Sequence, residues 1–197
     1  MSAQPLVRLS PEEYLELDRA AEVPSEYYDG EMFTITGTTA NHERIAINLG
    51  GGLWVALKKK PCEVFSRGMR VRVTNRGPYT YPDLVIACPA EFADERNDTL
   101  VNPVAILEVL SPSTEDHDRG RKFVQSRVIE TLREYIVISQ DQPRVECFRR
   151  QPDGSWVLTD QGGLDQSLEL RCLSLTIPFT EIYDKVEFPA AEAGSPA

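Results

Sequence analysis

Long apolar runs are missing from this chain of 197 residues, and none approaches the roughly 18 residues that a membrane helix needs. The opening segment, MSAQPLVRLSPEEYLELDRAAEVP, also lacks the apolar stretch of a secretory signal. Both absences lead to the expectation of a cytoplasmic protein with no membrane partner. Cysteine is scarce: the four, Cys62, Cys88, Cys147 and Cys172, form no C-x-x-C pair, and no histidine stands near any of them. That spacing argues against a zinc site, and a chain this long has no need of a disulfide framework, so small buried thiols in a reducing compartment are expected. Neither an internal repeat nor a linker divides the chain. The expectation is a single domain over residues 1–188, followed by a disordered tail, 189–197, of small residues, proline and glycine.

Positive charge is in deficit. The net charge of -10 argues against diffuse attraction to nucleic acid. The bases are nevertheless concentrated: between Lys58 and Arg76 stand seven of them and one acid, Glu63, a segment of +6 in an otherwise strongly acidic chain. A second block, RGRKFVQSR, carries Arg119, Arg121, Lys122 and Arg127 with no acid. Two such patches on an acidic protein can guide a polyanion to one place, although each base taken singly also reads as a solvated surface charge.

What is present is an alternation of helical and extended patterns. Ser10-Pro11-Glu12-Glu13 is a capping box, predicting a helix to about Ala21. Asp29-Gly30 reads as a hairpin turn. Ile45, Leu49, Leu53 and Leu57 recur every four residues, defining the buried face of a helix from about Thr39 to Lys60 with His42 near that face. Gly50-Gly51-Gly52 weakens this helix by about 1 kcal/mol per glycine and marks either close packing against a backbone or a break. Near Arg70 the period changes to two, with Arg70 and Arg72 on one side and Met69, Val71 and Val73 on the other, a strand with a basic face. The strands YPDLVIAC and AILEVLS follow, then a helix from about Asp118 to Leu132, the strand EYIVIS, a hairpin turning at Asp153-Gly154 and further strands. The order implies an α/β (α+β) domain, a mixed central sheet with helices against it.

Glu108 lies inside an apolar strand, where an ionised carboxylate must be paired, ligated or protonated. If the PDLVIA and ILEVLS strands are neighbours, Asp83 approaches Glu108 at one end of the sheet. Two adjacent carboxylates repel unless a cation lies between them, and hard oxygen ligands suit Mg2+ or Mn2+. Lys122, on the next helix, supplies an ammonium that could orient water or stabilise a pentavalent phosphorus. Glu31 and His42 are further polar candidates. The same trio of Asp83, Glu108 and Lys122 also reads as a structural ion-pair network without metal.

Taken together, LSPEEYLELDRAAEVPSEYYDGE, NHERIAINL, YPDLVI, ILEVLSPSTEDHDRGRKF and LREYIVISQDQPRVECFRRQPDGSW resemble the Uma-two family of endonucleases, within the PD-(D/E)XK or restriction-endonuclease-like superfamily. The resemblance covers about Leu9 to Phe188. It implies an αβββαβ core, with the C-terminal hairpin and strands as additions, and divalent-metal phosphodiester hydrolysis. By position, the PD motif is Pro82-Asp83 and the second acid is Glu108. The superfamily's E-x-K would require lysine at 110, where this chain has Leu110, and Lys122 matches the displaced lysine. Glu31 and His42 match the family's DGE and helix histidine. Ser126 stands where many relatives carry a tyrosine.

Two functions follow as expectations. The first is a Mg2+- or Mn2+-dependent nuclease acting on nucleic acid, DNA in the first place. Asp83 and Glu108 hold the metal, Lys122, Glu31 and His42 complete the catalytic group, and Arg70, Arg72 and Arg121 meet phosphates. A homodimer is expected by analogy with nucleases that cut two strands. The alternative is a catalytically inactive module of the same fold for nucleic-acid or protein binding.

Overall fold

The computed structural model describes residues 8–35, 37–110 and 117–189. The segment PSTED and the tail from residue 190 onward lie outside them.

The first helix, α1 (Pro11–Ala20), starts at the expected capping box: Glu13 N donates to Ser10 Oγ at 3.2 Å and Ser10 N to Glu13 Oε2 at 2.7 Å. Strands β1 (Ser25–Tyr28) and β2 (Glu31–Thr34) form the first hairpin, with Asp29 at φ 48° and Gly30 at φ 87° supplying the left-handed turn. Helix α2 (Ala40–Leu57) follows, then β3 (Glu63–Ser66), β4 (Arg70–Arg72), β5 (Tyr79–Thr80), β6 (Leu84–Ala87), β7 (Thr99–Leu100) and β8 (Pro103–Leu110). A π-helical turn, His117–Lys122, runs into the short α3 (Phe123–Ser126). After it come β9 (Glu134–Ser139), β10 (Arg144–Arg150), β11 (Trp156–Gly162), β12 (Ser167–Leu170), β13 (Leu175–Pro178) and α4 (Phe179–Ile182). The helix expected to reach Leu132 thus stops early, because the chain must unwind to enter β9. Ile129 and Leu132 remain buried nonetheless.

A six-stranded mixed sheet, ordered β11-β10-β9-β8-β6-β3, forms the centre. Only β8 and β9 run parallel in it; the other neighbours are antiparallel. Period-two alternation splits its residues between two cores. Leu84, Ile86, Ala105, Leu107, Val109, Ile136 and Ile138 face α2, α4 and the β12–β13 hairpin. Val85, Ala87, Ile106, Leu110, Tyr135 and Val137 face Phe123, Ile129 and Leu132 together with Val71, Val73 and Leu100 of a second sheet. That second sheet has the order β2-β1-β5-β4-β7, and α1 covers it through a cluster of Tyr14, Tyr27 and Tyr79, in which Tyr14 stacks on Tyr27. The arrangement is the mixed α+β, restriction-endonuclease-like architecture expected.

Two expectations are corrected. Cys62 and Cys88 are joined in a disulfide, with Cα atoms 4.1 Å apart. They lie one step beyond the Glu63–Ala87 pair of the antiparallel β3 and β6, so strand register brings together residues 26 apart in sequence. Of the remaining thiols Cys147 is buried and Cys172 exposed. The triple glycine neither breaks α2 nor serves close backbone packing: a Cβ at Gly51 or Gly52 would meet nothing within 4 Å. Among the described residues no helix is long and apolar enough to cross a membrane.

Candidate active site

Glu108 occupies the centre of β8, and its even position puts it on the same face as Ile106 and Leu110. Asp83 stands one step beyond the Leu84–Leu107 pair of β6 and β8, directly across from it. Asp83 N donates to Glu108 Oε2 at 3.4 Å, and Asp83 Oδ2 accepts from Val109 N at 2.8 Å. Strand pairing therefore does what the sequence could only pose as a condition. Both acids are buried, Glu108 to 2% exposure.

Lys122 reaches this pair from the following helical segment. Its Nζ lies 3.1 Å from Glu108 Oε1. Residues 108 and 110 share a face, so a lysine at 110 would project into the same space. Leu110 instead fills the apolar core there, and the helical segment packed on that core returns an ammonium to the carboxylate. Lys122 is itself buried, at 8% exposure.

A third acid, Glu26 of β1, completes the cluster. Its Oε1 lies 3.0 Å from Lys122 Nζ and accepts from Thr80 Oγ1 at 2.6 Å and from Tyr81 N at 3.0 Å. Sequence reasoning named Glu31 instead. Glu31 is exposed, paired with Tyr28 beside the hairpin turn on the edge strand β2, and makes no side-chain hydrogen bond or ion pair with this cluster among the described residues. The legible clue was period two: Glu26 and Tyr28 alternate with the buried Ser25 and Tyr27. What places Glu26 is long-range pairing of β1 with β5, because β5 runs through Tyr81-Pro82 straight into Asp83.

His42 sits in the first turn of α2, its backbone N donating to the capping Thr39 Oγ1 at 3.2 Å. Its side chain is buried and Nε2 is 3.1 Å from Asp83 Oδ2. Ionised Asp83 only accepts, so Nε2 carries the proton in this contact. Nδ1 is buried without a hydrogen bond, with Glu43 Oε1 3.9 Å away. His42 thus fixes one oxygen of Asp83.

The expected phosphate contacts divide. Arg70 does alternate with Val71 as predicted, but its face is covered by α1 rather than by water. Its Nη2 is 2.7 Å from Asp18 Oδ2, its Nη1 donates to Thr99 Oγ1 at 2.8 Å, and it is 4% exposed. Asp18 also accepts from Tyr81 Oη at 2.5 Å and from Ser25 N at 2.7 Å. Burial, then this hydrogen bond, pushes the Tyr81 phenol well above its usual range, so it keeps its proton and donates. Arg72 is half-buried beside Tyr79. Arg121 is exposed, its guanidinium 5.6 Å from the Tyr28 ring, next in the chain to Lys122.

Whether a divalent ion suits these residues can be judged from the donors. Among the described residues no group of three or more histidine, cysteine, aspartate and glutamate side chains forms a metal cage. Mg2+ asks for less: one or two carboxylates, with waters and substrate oxygens completing the shell. Asp83 Oδ2 is engaged by His42 and Val109, while Oδ1 takes part in none of the hydrogen bonds among the described residues. An oriented aspartate beside a buried glutamate is a donor set that fits.

Comparison with known proteins gives three findings. Residues 11–180 match a family described as "Uma2: Putative restriction endonuclease". Two uncharacterized proteins of Synechocystis sp. are 30% identical over 93% of this chain and 96% of the relative, and 34% identical over 85% and 95%. The fold is similar to a crystal structure from Anabaena variabilis, "a putative nuclease belonging to DUF820", with a TM-score of 0.73 at 16% identity, covering 89% of this chain and 97% of that one.

Proposed function

Because this chain belongs to the Uma2 family, we propose that it is a metal-dependent nuclease hydrolysing phosphodiester bonds in nucleic acid, DNA in the first place. The family points to nuclease chemistry, and the fold agrees with it. The observation that carries it is Lys122: an ammonium from outside the strand, 3.1 Å from Glu108, in a chain whose residue 110 is leucine.

Asp83 and Glu108 would hold Mg2+ or Mn2+. A bound ion of this kind supplies Lewis-acid polarisation of a phosphoryl oxygen and acidifies an attached water. Lys122 would face the negative charge that grows on phosphorus, its position set by Glu26 and Glu108 on either side. His42 acts through Asp83 as a positioning residue, leaving the second carboxylate oxygen to the metal. Arg121, stacked near Tyr28 at the exposed edge of this cluster, would meet a flanking phosphate.

The test is cleavage of plasmid and single-stranded DNA with Mg2+ or Mn2+. Asp83→Ala, Glu108→Ala and Lys122→Ala should each lower the rate by about 10²-fold or more. Activity that persists in all three overturns the assignment. One observation favours the inactive-module reading: Lys122 already neutralises two carboxylates, as in a self-contained ion-pair network. Calorimetry separates the two, since Mn2+ binding that disappears in Asp83→Ala belongs only to the nuclease.

A further inference from the structure

The two faces of the β1–β2 hairpin divide its aromatic residues. Tyr27 and Met32 turn toward α1, where they pack with Tyr14 and Tyr79. Glu26, Tyr28, Glu31 and Phe33 share the opposite face, because Glu26 pairs with Phe33 and Tyr28 with Glu31. That is the face on which Glu26 meets Lys122. Phe33 is 42% and Tyr28 39% exposed, so neither ring belongs to the core that holds the hairpin. Strand register sets both beside the proposed catalytic cluster. Phe33 stands directly across from Glu26, with Cβ atoms about 5 Å apart, and Tyr28 lies two residues along β1, about 7 Å away. The charges sort to the two sides of these rings. Lys122 meets Glu26 at the oxygen that also accepts from Thr80 Oγ1 of β5, so the ammonium stands on the β5 side of β1. Arg121, its chain neighbour, is exposed with its guanidinium 5.6 Å from the Tyr28 ring. On the β2 side the charged residue of this face is the exposed Glu31.

We propose that Tyr28 and Phe33 form a platform that stacks an unpaired nucleobase next to the scissile phosphate, so that the enzyme selects single-stranded or locally opened nucleic acid. The inference rests on the nuclease reading for the position of that phosphate. A base in a regular duplex is already stacked and paired, whereas an unpaired base offers its face to an aromatic ring. The polarity of the face fits a single strand laid across β1. Its phosphates run along the side of Arg121 and Lys122, its base turns toward Phe33, and Glu31 repels phosphates from the β2 edge. Because Phe33 is the cross-strand partner of Glu26, a base stacked there leaves its own sugar and phosphate at the cluster of Glu26, Lys122 and Glu108.

Two pairs of variants test this without touching that cluster. Tyr28→Leu and Phe33→Leu keep apolar bulk and remove the stacking face, while Tyr28→Phe and Phe33→Tyr keep the ring. Both positions are exposed, so all four should fold. Binding of fluorescent single-stranded DNA, single-stranded RNA, an abasic strand of equal length and duplex DNA is measured by anisotropy in EDTA, alongside cleavage in Mn2+. Each leucine variant should weaken binding of at least one of the two base-bearing single strands about tenfold and leave the abasic strand and the duplex unchanged. The two aromatic replacements should bind as the wild type does. Equal loss on the abasic strand or the duplex, no loss on either single strand, or aromatic replacements that bind as poorly as leucine overturn the proposal. So does a wild-type dimer in sedimentation that either leucine variant dissociates, which would assign the hairpin face to a second copy. Ring-dependent binding without metal-dependent cleavage would sink the nuclease reading and leave the base site standing. Metal-dependent cleavage of single strands that is indifferent to both leucine variants would do the reverse.

Discussion

Replacing Lys122 by methionine keeps most of the side chain's bulk and deletes only its charge. Its Nζ is 3.0 Å from Glu26 Oε1 and 3.1 Å from Glu108 Oε1, so those two oxygens lie within about 6 Å of each other. At an effective dielectric of about 20 their mutual repulsion, unscreened by the ammonium, is about 3 kcal/mol. The desolvation of Glu108, whose side chain is 3% exposed, then loses its ammonium partner. Breaking a buried ion pair from one side typically costs about 3–5 kcal/mol, and that is the expected loss in urea unfolding at neutral pH with EDTA present. Two controls separate charge from packing. Lys122→Met combined with Glu108→Gln should lose less than Lys122→Met alone, because the stranded charge is gone. Mn2+ at about 100 times its dissociation constant should restore about 2.7 kcal/mol to Lys122→Met, if a divalent ion binds the freed carboxylates only in the folded state. A loss below about 1 kcal/mol in EDTA would refute the claim that Lys122 holds buried Glu108 and half-buried Glu26 together.

Other outcomes follow from the same geometry. Arg70→Met should destabilise by about 3–5 kcal/mol, since Asp18 has a side chain only 1% exposed, and should leave nucleic-acid affinity per folded molecule unchanged. Loss of affinity without loss of stability would return Arg70 to the phosphates. Asp98 has its pKa lowered from 3.8 to about 2, mainly by the hydrogen bond from Arg19. Because the folded value lies below the unfolded one, its stabilisation is complete above pH 3.8 and disappears as pH falls toward about 2. For a half-buried carboxylate still reached by solvent it amounts to about 1 kcal/mol at most, and Asp98→Asn should flatten that part of the acid limb. Gly52→Ala, in open space, should stabilise the protein by about 0.5–1 kcal/mol, raising Tm by roughly 2 °C.

Local pattern carried far because many of its causes are local. The capping box of α1, the apolar stripe of α2 and the Asp29-Gly30 turn each depend on residues within a few positions, and all form as read. Glu108 was conspicuous because an acid inside an apolar strand requires an explanation whatever surrounds it. Arg70 shows where that style of reading stops. Its alternation with Val71 was correct, but whether the outward face meets water or α1 depends on a helix some fifty residues earlier in the chain.

By itself, the sequence determined which residues are chemically costly to bury and which faces they occupy, since period and propensity act over neighbours. Only the tertiary structure decided what satisfies them. The pairing of β6 with β8 sets Asp83 against Glu108. The pairing of β1 with β5 substitutes Glu26 for the expected Glu31. The register of β3 on β6 joins Cys62 to Cys88. These partners lie far apart along the chain, and their meeting is fixed by strand register and by the burial of both sheet faces.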